Sequence, residues 1–269
     1  MVKERLYYID NLKALLILLV VLGHCIQNLD LDFDNNIIFR YIYSFHMPLF
    51  MFVSGFLSYR KEYKWESLRR RFVQLVIPFI SWAILDMSIR GDFNIRWLTD
   101  PDSALWFLWV LFWIGVIHIS LSKLSMKMRV PEEIIIGIGC CLLIAILMFS
   151  KLSFGFHLIA WYLPFYVMGC LTMKYQHELI PFLNKIRIPL LLIFLVSAYF
   201  WMRNSSPLFI DSNSQMMIFG YKFFVGVIGS LSIFSLLNLW NYRVLYISEL
   251  GGGNTWHICY SSNSHKIYR

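Results

Sequence analysis

The 269-residue chain is 58% hydrophobic and 18% aromatic, and only 15% of its residues are charged. Soluble domains carry about 25% charged and about 45–50% apolar residues, so this composition excludes an ordinary soluble globular protein. The formal net charge of +8 does not require a nucleic acid partner, because cytoplasmic loops of membrane proteins collect Lys and Arg. We therefore expect a lipid bilayer around the chain and no nucleic acid. The five cysteines lack the CxxC spacing of zinc sites, so no metal site is expected.

Eight apolar segments come close to the length of a membrane-spanning helix, which needs about 20 mainly apolar residues. In chain order the predicted spans are 11–28, 39–59, 72–89, 104–121, 132–150, 157–173, 188–203 and 215–238. The sequence thus predicts an all-α fold, a polytopic transmembrane helix bundle of eight spans.

The segments between these spans alternate in charge along the chain. Lys and Arg concentrate in the N-terminal MVKER and in three predicted loops, 59–71, 122–129 and 174–187. The intervening connections are acidic, mixed or short: 28–36, 90–102, 150–155 and 203–214. Because positively charged loops stay on the cytoplasmic side, we expect a cytoplasmic N-terminus in a multi-pass protein of the inner (cytoplasmic) membrane.

Three ionisable residues share one face of the first span. Lys13 and His24 are eleven residues apart, and eleven steps of about 100° bring a helix back to within roughly 20° of its starting face. Asp10 lies within about 60° of both. Ionisable residues inside a membrane are costly and mark functional sites. The alternative is that Lys13 extends its ammonium group to the interface and His24 is an ordinary bundle histidine, and the residues alone leave both readings open.

Two further features flank the second and third spans. His46, in YSFHMPLFMFVSGF (43–56), enters its span from the same side as His24, because a short connection makes the first two spans antiparallel neighbours. Arg69, Arg70 and Arg71 precede the third span. They suit either a positive-inside signal or the bidentate binding of phosphates by guanidinium groups. Two other histidines, His118 and His177, look peripheral and are assigned no role.

Taken in order, these stretches resemble the acyltransferase 3 family of integral-membrane acyltransferases. YIDNLKALLILLVVLGHC (8–25) is similar to the family's opening span, with Lys13 where Arg is usual. SFHMPLFMFVSGF (44–56) is similar to its second span, and the arginine cluster followed by FVQLVIPFISW (72–82) to its third. ALWFLWVLFW (104–113) and WYLPFYVMGCL (161–171) are weaker matches.

The resemblance implies an enzyme that transfers an acyl group, usually acetyl, from cytoplasmic acyl-CoA to a hydroxyl of an envelope or exopolysaccharide sugar. It implies His24 as the essential histidine, Lys13 as its basic partner and Arg69–Arg71 as the loop arginines, and His46 falls on a motif histidine. We therefore expect His24 and His46 to be catalytic, while Asp10, Lys13 and the arginines bind substrate or donor. The expected partners are acyl-CoA, as a co-substrate rather than a bound cofactor, and a carbohydrate acceptor.

The resemblance covers about residues 7–255 and ends there. We expect residues 1–255 to form the acyltransferase 3-like transmembrane domain and 256–269 to be an aberrant polar tail. Family members continue past a segment like ISELGGGNT (247–255) into roughly two more spans, about ten in all. Codons for Trp-His-Ile-Cys-Tyr (256–260), read in a shifted frame, permit Gly-Ile-Tyr-Val-Ile. The expectation is a truncated or frameshifted copy, whose activity the sequence leaves open.

Two other functions stay open at this point. A transporter or flippase for a polysaccharide precursor also places polar residues inside a helix bundle, and inverted repeats or paired broken helices, which would favour it, are not visible. An inactive, truncated remnant of the acyltransferase is the second alternative.

Overall fold

The computed structural model describes residues 7–60, 63, 65–91, 106–149, 155–205, 207, 210 and 214–239. The predicted tail, 256–269, lies outside the described residues, as does the segment 247–255. Within the described part, all regular secondary structure is helical. The predicted all-α fold is confirmed, and the number of apolar helices makes the chain a multi-pass membrane protein.

The helices follow the predicted order of spans. They are α1 Tyr7–Leu29, a short 3-10 helix Phe33–Asn35, α2 Ile37–Ser58, α3 Trp65–Arg71, a π-helix Phe72–Val76, α4 Ile77–Arg90, α5 Trp106–Met128, α6 Glu132–Phe149, α7 Phe156–Lys174, α8 Gln176–Tyr199 and α9 Gln215–Leu237. Seven helical segments of the described chain are long and apolar enough to cross a membrane, namely α1, α2, the continuous run Glu66–Ile89, α5, α7, α8 and α9. With α6, an 18-residue apolar helix, each predicted span overlaps a helix, although the predicted 188–203 extends four residues past the end of α8.

Three predicted loops are partly helical, because the helices run further than the apolar segments, and one of these loops, 59–71, contains α3. Residues 176–187, expected in a basic loop, form the first half of α8, and only Tyr175 separates this helix from α7. Most of 122–129 is the last part of α5. Charged side chains are tolerated where a helix leaves the hydrocarbon for the interface, so a change in charge does not mark the end of a helix.

The chain forms two compact units. The first comprises residues 1–50 and 177–269, and the second comprises Met51–Gln176. The boundary falls inside α2, so the first half of that helix belongs to one unit and its last turns to the other.

In the first unit, aromatic rings and one glycine bring α1, α2, α8 and α9 together. Tyr8 of α1 packs edge-on against Phe234 of α9, with ring centroids 6.1 Å apart. Phe45 of α2 packs in the same way against Phe194 of α8 at 5.3 Å. A Cβ at Gly229 of α9 would lie 2.6 Å from the Cβ of Phe45, so only glycine allows α9 to approach this pair.

In the second unit, α2 and α7 touch backbone to backbone. A Cβ at Gly55 would overlap the carbonyl oxygen of Tyr166, and a Cβ at Gly169 would overlap that of Phe52. Cys170 donates its thiol hydrogen to the carbonyl of Gly55, at an Sγ–O distance of 3.2 Å. Small residues that allow such an approach are typical of helix interfaces in membranes.

We predict that Gly169→Ala destabilises the chain, because the added methyl group forces α2 and α7 apart. Strain of this kind costs about 1–3 kcal/mol. The free energy of unfolding, measured in mixed detergent micelles, is expected to fall by that amount. Gly137→Ala on α6 is the control, since a Cβ there meets nothing within 4 Å. Equal stability of the two variants would contradict the close contact.

Candidate functional site

The polar residues near the start of α1 form an ion pair. The Lys13 ammonium lies 3.8 Å from the Asp10 carboxylate, and the two residues are three positions apart on the helix. Asp10 is buried and Lys13 is half-buried. Pairing reduces the cost of placing either charge away from water. His24 lies roughly 16 Å from Lys13 along the helix, at 1.5 Å per residue, so the ion pair does not contact the histidine.

His24 lies near the end of α1 and is exposed, next to a glycine that contacts α2. A Cβ at Gly23 would lie 2.6 Å from Cε2 of Tyr43, so the absence of a side chain at position 23 makes room for the tyrosine ring. The Tyr43 hydroxyl donates to the side-chain oxygen of Gln27 at 2.9 Å. Tyr43 is therefore held against α1 on both sides of His24.

His46 contacts the same tyrosine from within α2. Its imidazole is buried, and the ring centroids of His46 and Tyr43 are 4.7 Å apart. Nδ1 of His46 lies 2.8 Å from the carbonyl oxygen of Ile42. A carbonyl only accepts, so Nδ1 carries the hydrogen, and in the neutral ring Nε2 keeps its lone pair. The local helix thus fixes the tautomer and leaves Nε2 as the basic nitrogen.

The arginine cluster, which lies in the second unit, divides into two parts. Arg69 and Arg70 are exposed, whereas Arg71 is half-buried. Its Nη2 donates to the hydroxyl of Tyr166 on α7 at 2.8 Å. A Cβ at Gly115 of α5 would overlap Nη1 of Arg71. The inner guanidinium therefore needs both a tyrosine hydroxyl and a glycine opposite it.

A π-helix, Phe72–Val76, directly follows Arg71. Pro78 explains why the π-helix forms at this position. Proline has no N–H, and its ring would clash with the carbonyl four residues earlier in a regular α-helix. The backbone N–H of Ile77 instead bonds to the carbonyl of Phe72, five residues back. π-Helical turns of this kind are common at functional sites. Here the turn joins the arginine-bearing α3 to the apolar α4.

His118 is not peripheral, so that prediction is wrong. The helix that carries it continues to Met128, beyond the predicted span end at residue 121, so His118 is in its interior and 1% exposed. Its ring packs edge-on against Tyr63 and Tyr166, with centroids 5.6 and 5.5 Å away. Among the residues that the structure describes, Nδ1 of His118 has no hydrogen-bond partner. His177, in contrast, is exposed.

His118 also lines a narrow cleft between α5, α6 and α7. The free volume of about 10 Å³ is close to the space that a single water needs. Lys174 lies at this cleft, with its ammonium 3.4 Å from Glu132 and bonded to Glu133. Ser122 donates to Glu132 at 2.5 Å. This cluster joins three helices, and nothing in the local sequence around any one of them predicts it.

The comparisons with known proteins identify the family of this chain. A family model described as an acyltransferase domain matches residues 6–252. The chain belongs to the acyltransferase 3 family. All seven predicted site residues fall within the matched range, and the predicted family is confirmed.

Two relatives of this acyltransferase 3 member are similar to it over a shorter stretch. Each is called nodulation protein NolL, one from Mesorhizobium japonicum and one from Sinorhizobium fredii, and they are 35% identical over 121 and 120 residues. Each match covers 38% of this chain and 32% of the relative, so the chain spans about a third of the length of either relative. No solved structure matches the chain.

We predict a strong energetic coupling between Arg71 and Tyr166. In a double-mutant cycle of Arg71→Gln and Tyr166→Phe, measured by unfolding, the interaction energy is expected to be about 1.5–3 kcal/mol, as for a hydrogen bond to a charged group. The matched cycle uses Arg70→Gln, because Arg70 is exposed, and its effects should add to within about 0.5 kcal/mol. Additive effects in both cycles would show that Arg71 does not depend on the tyrosine hydroxyl.

Proposed function

We propose that this acyltransferase 3 member is a membrane-bound O-acyltransferase. It transfers an acyl group, which we propose is acetyl, from acyl-CoA to a hydroxyl of an envelope or extracellular carbohydrate. The observation that carries the proposal is the family match across residues 6–252. The basic segments near the N-terminus and after α2 favour a cytoplasmic N-terminus in the cytoplasmic membrane, with the donor on that side.

The exposed guanidinium groups of Arg69 and Arg70 suit the phosphates of CoA. A guanidinium presents five N–H donors in a plane and binds phosphate in a bidentate fashion. Arg71 uses one described bond on Tyr166, which orients its remaining donors. We assign Arg69 and Arg70 to binding the phosphates of the donor. Arg71, which is more buried, binds the same phosphates from inside the helix bundle.

His24 serves as the general base in this proposal. It takes the proton of the acceptor hydroxyl while that oxygen attacks the thioester carbonyl of the donor. The tetrahedral intermediate then collapses, a C–O bond replaces the C–S bond, and the CoA thiolate leaves and takes up a proton. The acyl group ends on the carbohydrate and CoA is released as the thiol.

His46 and the ion pair on α1 have supporting roles. With Nδ1 fixed on the Ile42 carbonyl, His46 offers Nε2 as an acceptor to a hydroxyl or a water near Tyr43. Asp10 and Lys13 form an ion pair on the half of α1 away from His24. We assign them to positioning the donor rather than to proton transfer.

We predict that His24→Ala abolishes acyl transfer, while His177→Ala retains it. The assay uses the purified full chain in lipid nanodiscs with radiolabelled acetyl-CoA and isolated envelope glycans, and follows label in the glycan. Loss of general-base catalysis is expected to lower the rate about 10²–10⁴-fold. His177 is the matched control because its ring is exposed and it has no assigned role.

Three results would contradict parts of this proposal. Equal label transfer by His24→Ala and the unchanged chain would remove His24 as the base. Absence of transfer by the unchanged chain would contradict the enzymatic function. Movement of unmodified glycan across a vesicle membrane, without transfer of label, would establish the transporter alternative instead.

A further inference from the structure

The short stretch after α8 is fixed around Arg203, a residue that the sequence placed in an unremarkable loop. The Asp34 carboxylate accepts the backbone N–H of Arg203 at 2.6 Å and that of Asn204 at 3.0 Å. The Lys222 ammonium of α9 donates to the carbonyl of Arg203 at 2.8 Å. Both the N–H and the C=O of Arg203 are thus held by side chains from other segments of the first unit. This fixes the point from which the Arg203 side chain projects.

The guanidinium group of Arg203 lies over the ring of Tyr43. Its central carbon is 5.1 Å from the ring centroid, a distance at which cations are attracted to aromatic faces. The residue is exposed. Among the described residues, no carboxylate forms a salt bridge with this guanidinium, and Asp34 is occupied by backbone amides. The guanidinium also has a side-chain hydrogen bond with Tyr43, and a guanidinium has five N–H donors, so the remaining donors can serve a ligand.

Tyr43 connects this arginine to the two predicted catalytic histidines. The same ring packs against Gly23, the neighbour of His24, and lies edge-on to His46. His24 and Arg203 are both close enough to His46 to act on it electrostatically. One guanidinium and one imidazole therefore contact this tyrosine, and the residue next to His24 packs against it. An anion bound there would be attracted by the positive charge of the guanidinium.

We propose that Arg203 binds a negatively charged group of the acyl acceptor, a carboxylate or a phosphate, and thereby places the acceptor's hydroxyl at His24. This inference rests on the proposed acyl transfer and names the substrate class, an anionic saccharide. The fork of a guanidinium matches two oxygens of a carboxylate or of a phosphate, and the Tyr43 ring beneath the guanidinium holds it in place. The donor's phosphates are assigned to the arginines of the second unit, so Arg203 serves the acceptor.

The test is a binding measurement that does not depend on catalysis. The full chain is placed in nanodiscs of phosphatidylcholine and titrated calorimetrically with three probes. These are a tetrasaccharide of alternating glucuronate and N-acetylglucosamine, the neutral tetrasaccharide of N-acetylglucosamine, and glucose 1-phosphate. At least one anionic probe is expected to bind about 10- to 100-fold more tightly than the neutral one, the range for a hydrogen bond to a charged group. Which anionic probe binds identifies a sugar carboxylate or a sugar phosphate as the group recognised.

Variants then assign the effect to Arg203. Arg203→Gln is expected to remove the preference for the anionic probe, and Arg203→Lys to retain part of it, because an ammonium group keeps the charge but loses the bidentate geometry. Arg187→Gln on α8 is the matched control and should keep the full preference. Unchanged binding of the neutral probe shows that a variant is folded. If Arg203→Gln does not fold, Arg203→Lys alone tests the inference. Its preference for the anionic probe is then expected to lie between that of the unchanged chain and no preference.

Several outcomes would overturn the inference. One is equal binding of neutral and anionic probes by the unchanged chain, and another is an anionic preference that survives Arg203→Gln. A third is loss of the preference when phosphatidylglycerol is added to the nanodiscs, which would assign the site to a lipid headgroup. Acyl transfer without any anionic preference defeats this inference alone. An Arg203-dependent preference in a chain that transfers no acyl group defeats the proposed function and leaves only an anion site.

Discussion

A polar group inside a membrane must find its partner within the chain, and this constraint shapes the whole molecule. Hydrocarbon offers no hydrogen bonds, so an unpaired backbone or charged group there costs several kcal/mol. Two charged side chains of the described spans follow the rule. Lys13 pairs with Asp10, and Arg71 donates to Tyr166. Each pair keeps a charge in the bundle without exposing it to lipid alone.

The same constraint explains why the helices approach one another so closely. Apolar side chains gain little by leaving lipid for a protein interior, so helices in membranes associate through packing and short polar contacts. Gly55 and Gly169 allow backbone contact in the second unit, and Gly115 makes room for the inner arginine. Gly23 does the same for Tyr43 in the first unit. The positions of Tyr43, beside His24, and of Arg71 therefore each depend on a glycine.

The local sequence pattern correctly predicted those parts of the structure that depend on the helical period and on hydropathy. Each of the eight spans overlaps a helix, and the pairing of Asp10 with Lys13, three residues apart, follows from helix geometry. Predicted helix boundaries were wrong where a run of charged residues was taken as the end of a helix, as in residues 176–187. The error at His118 has the same origin, because the predicted span stopped seven residues before the helix does.

Contacts between residues that are far apart in the chain could not be predicted from the sequence. Arg71 and Tyr166 are 95 positions apart, and Arg203 lies over a tyrosine from the other end of the chain. Neither contact can be predicted from the spacing of its two residues in the sequence. The histidines could be found because an ionisable residue in an apolar run is unusual, whereas an arginine in a polar loop or a tyrosine in an aromatic-rich span is not.

The sidedness of acyl transfer tests the central claim, that a membrane-embedded site takes its donor from the cytoplasmic face. Acetyl-CoA does not cross membranes, so labelled acetyl-CoA is added to inside-out and to right-side-out vesicles that carry the chain and contain acceptor glycan. Vesicles without the chain give the background. The account predicts labelled glycan in the inside-out vesicles alone. Label that appears only in right-side-out vesicles, or in neither preparation, would contradict it.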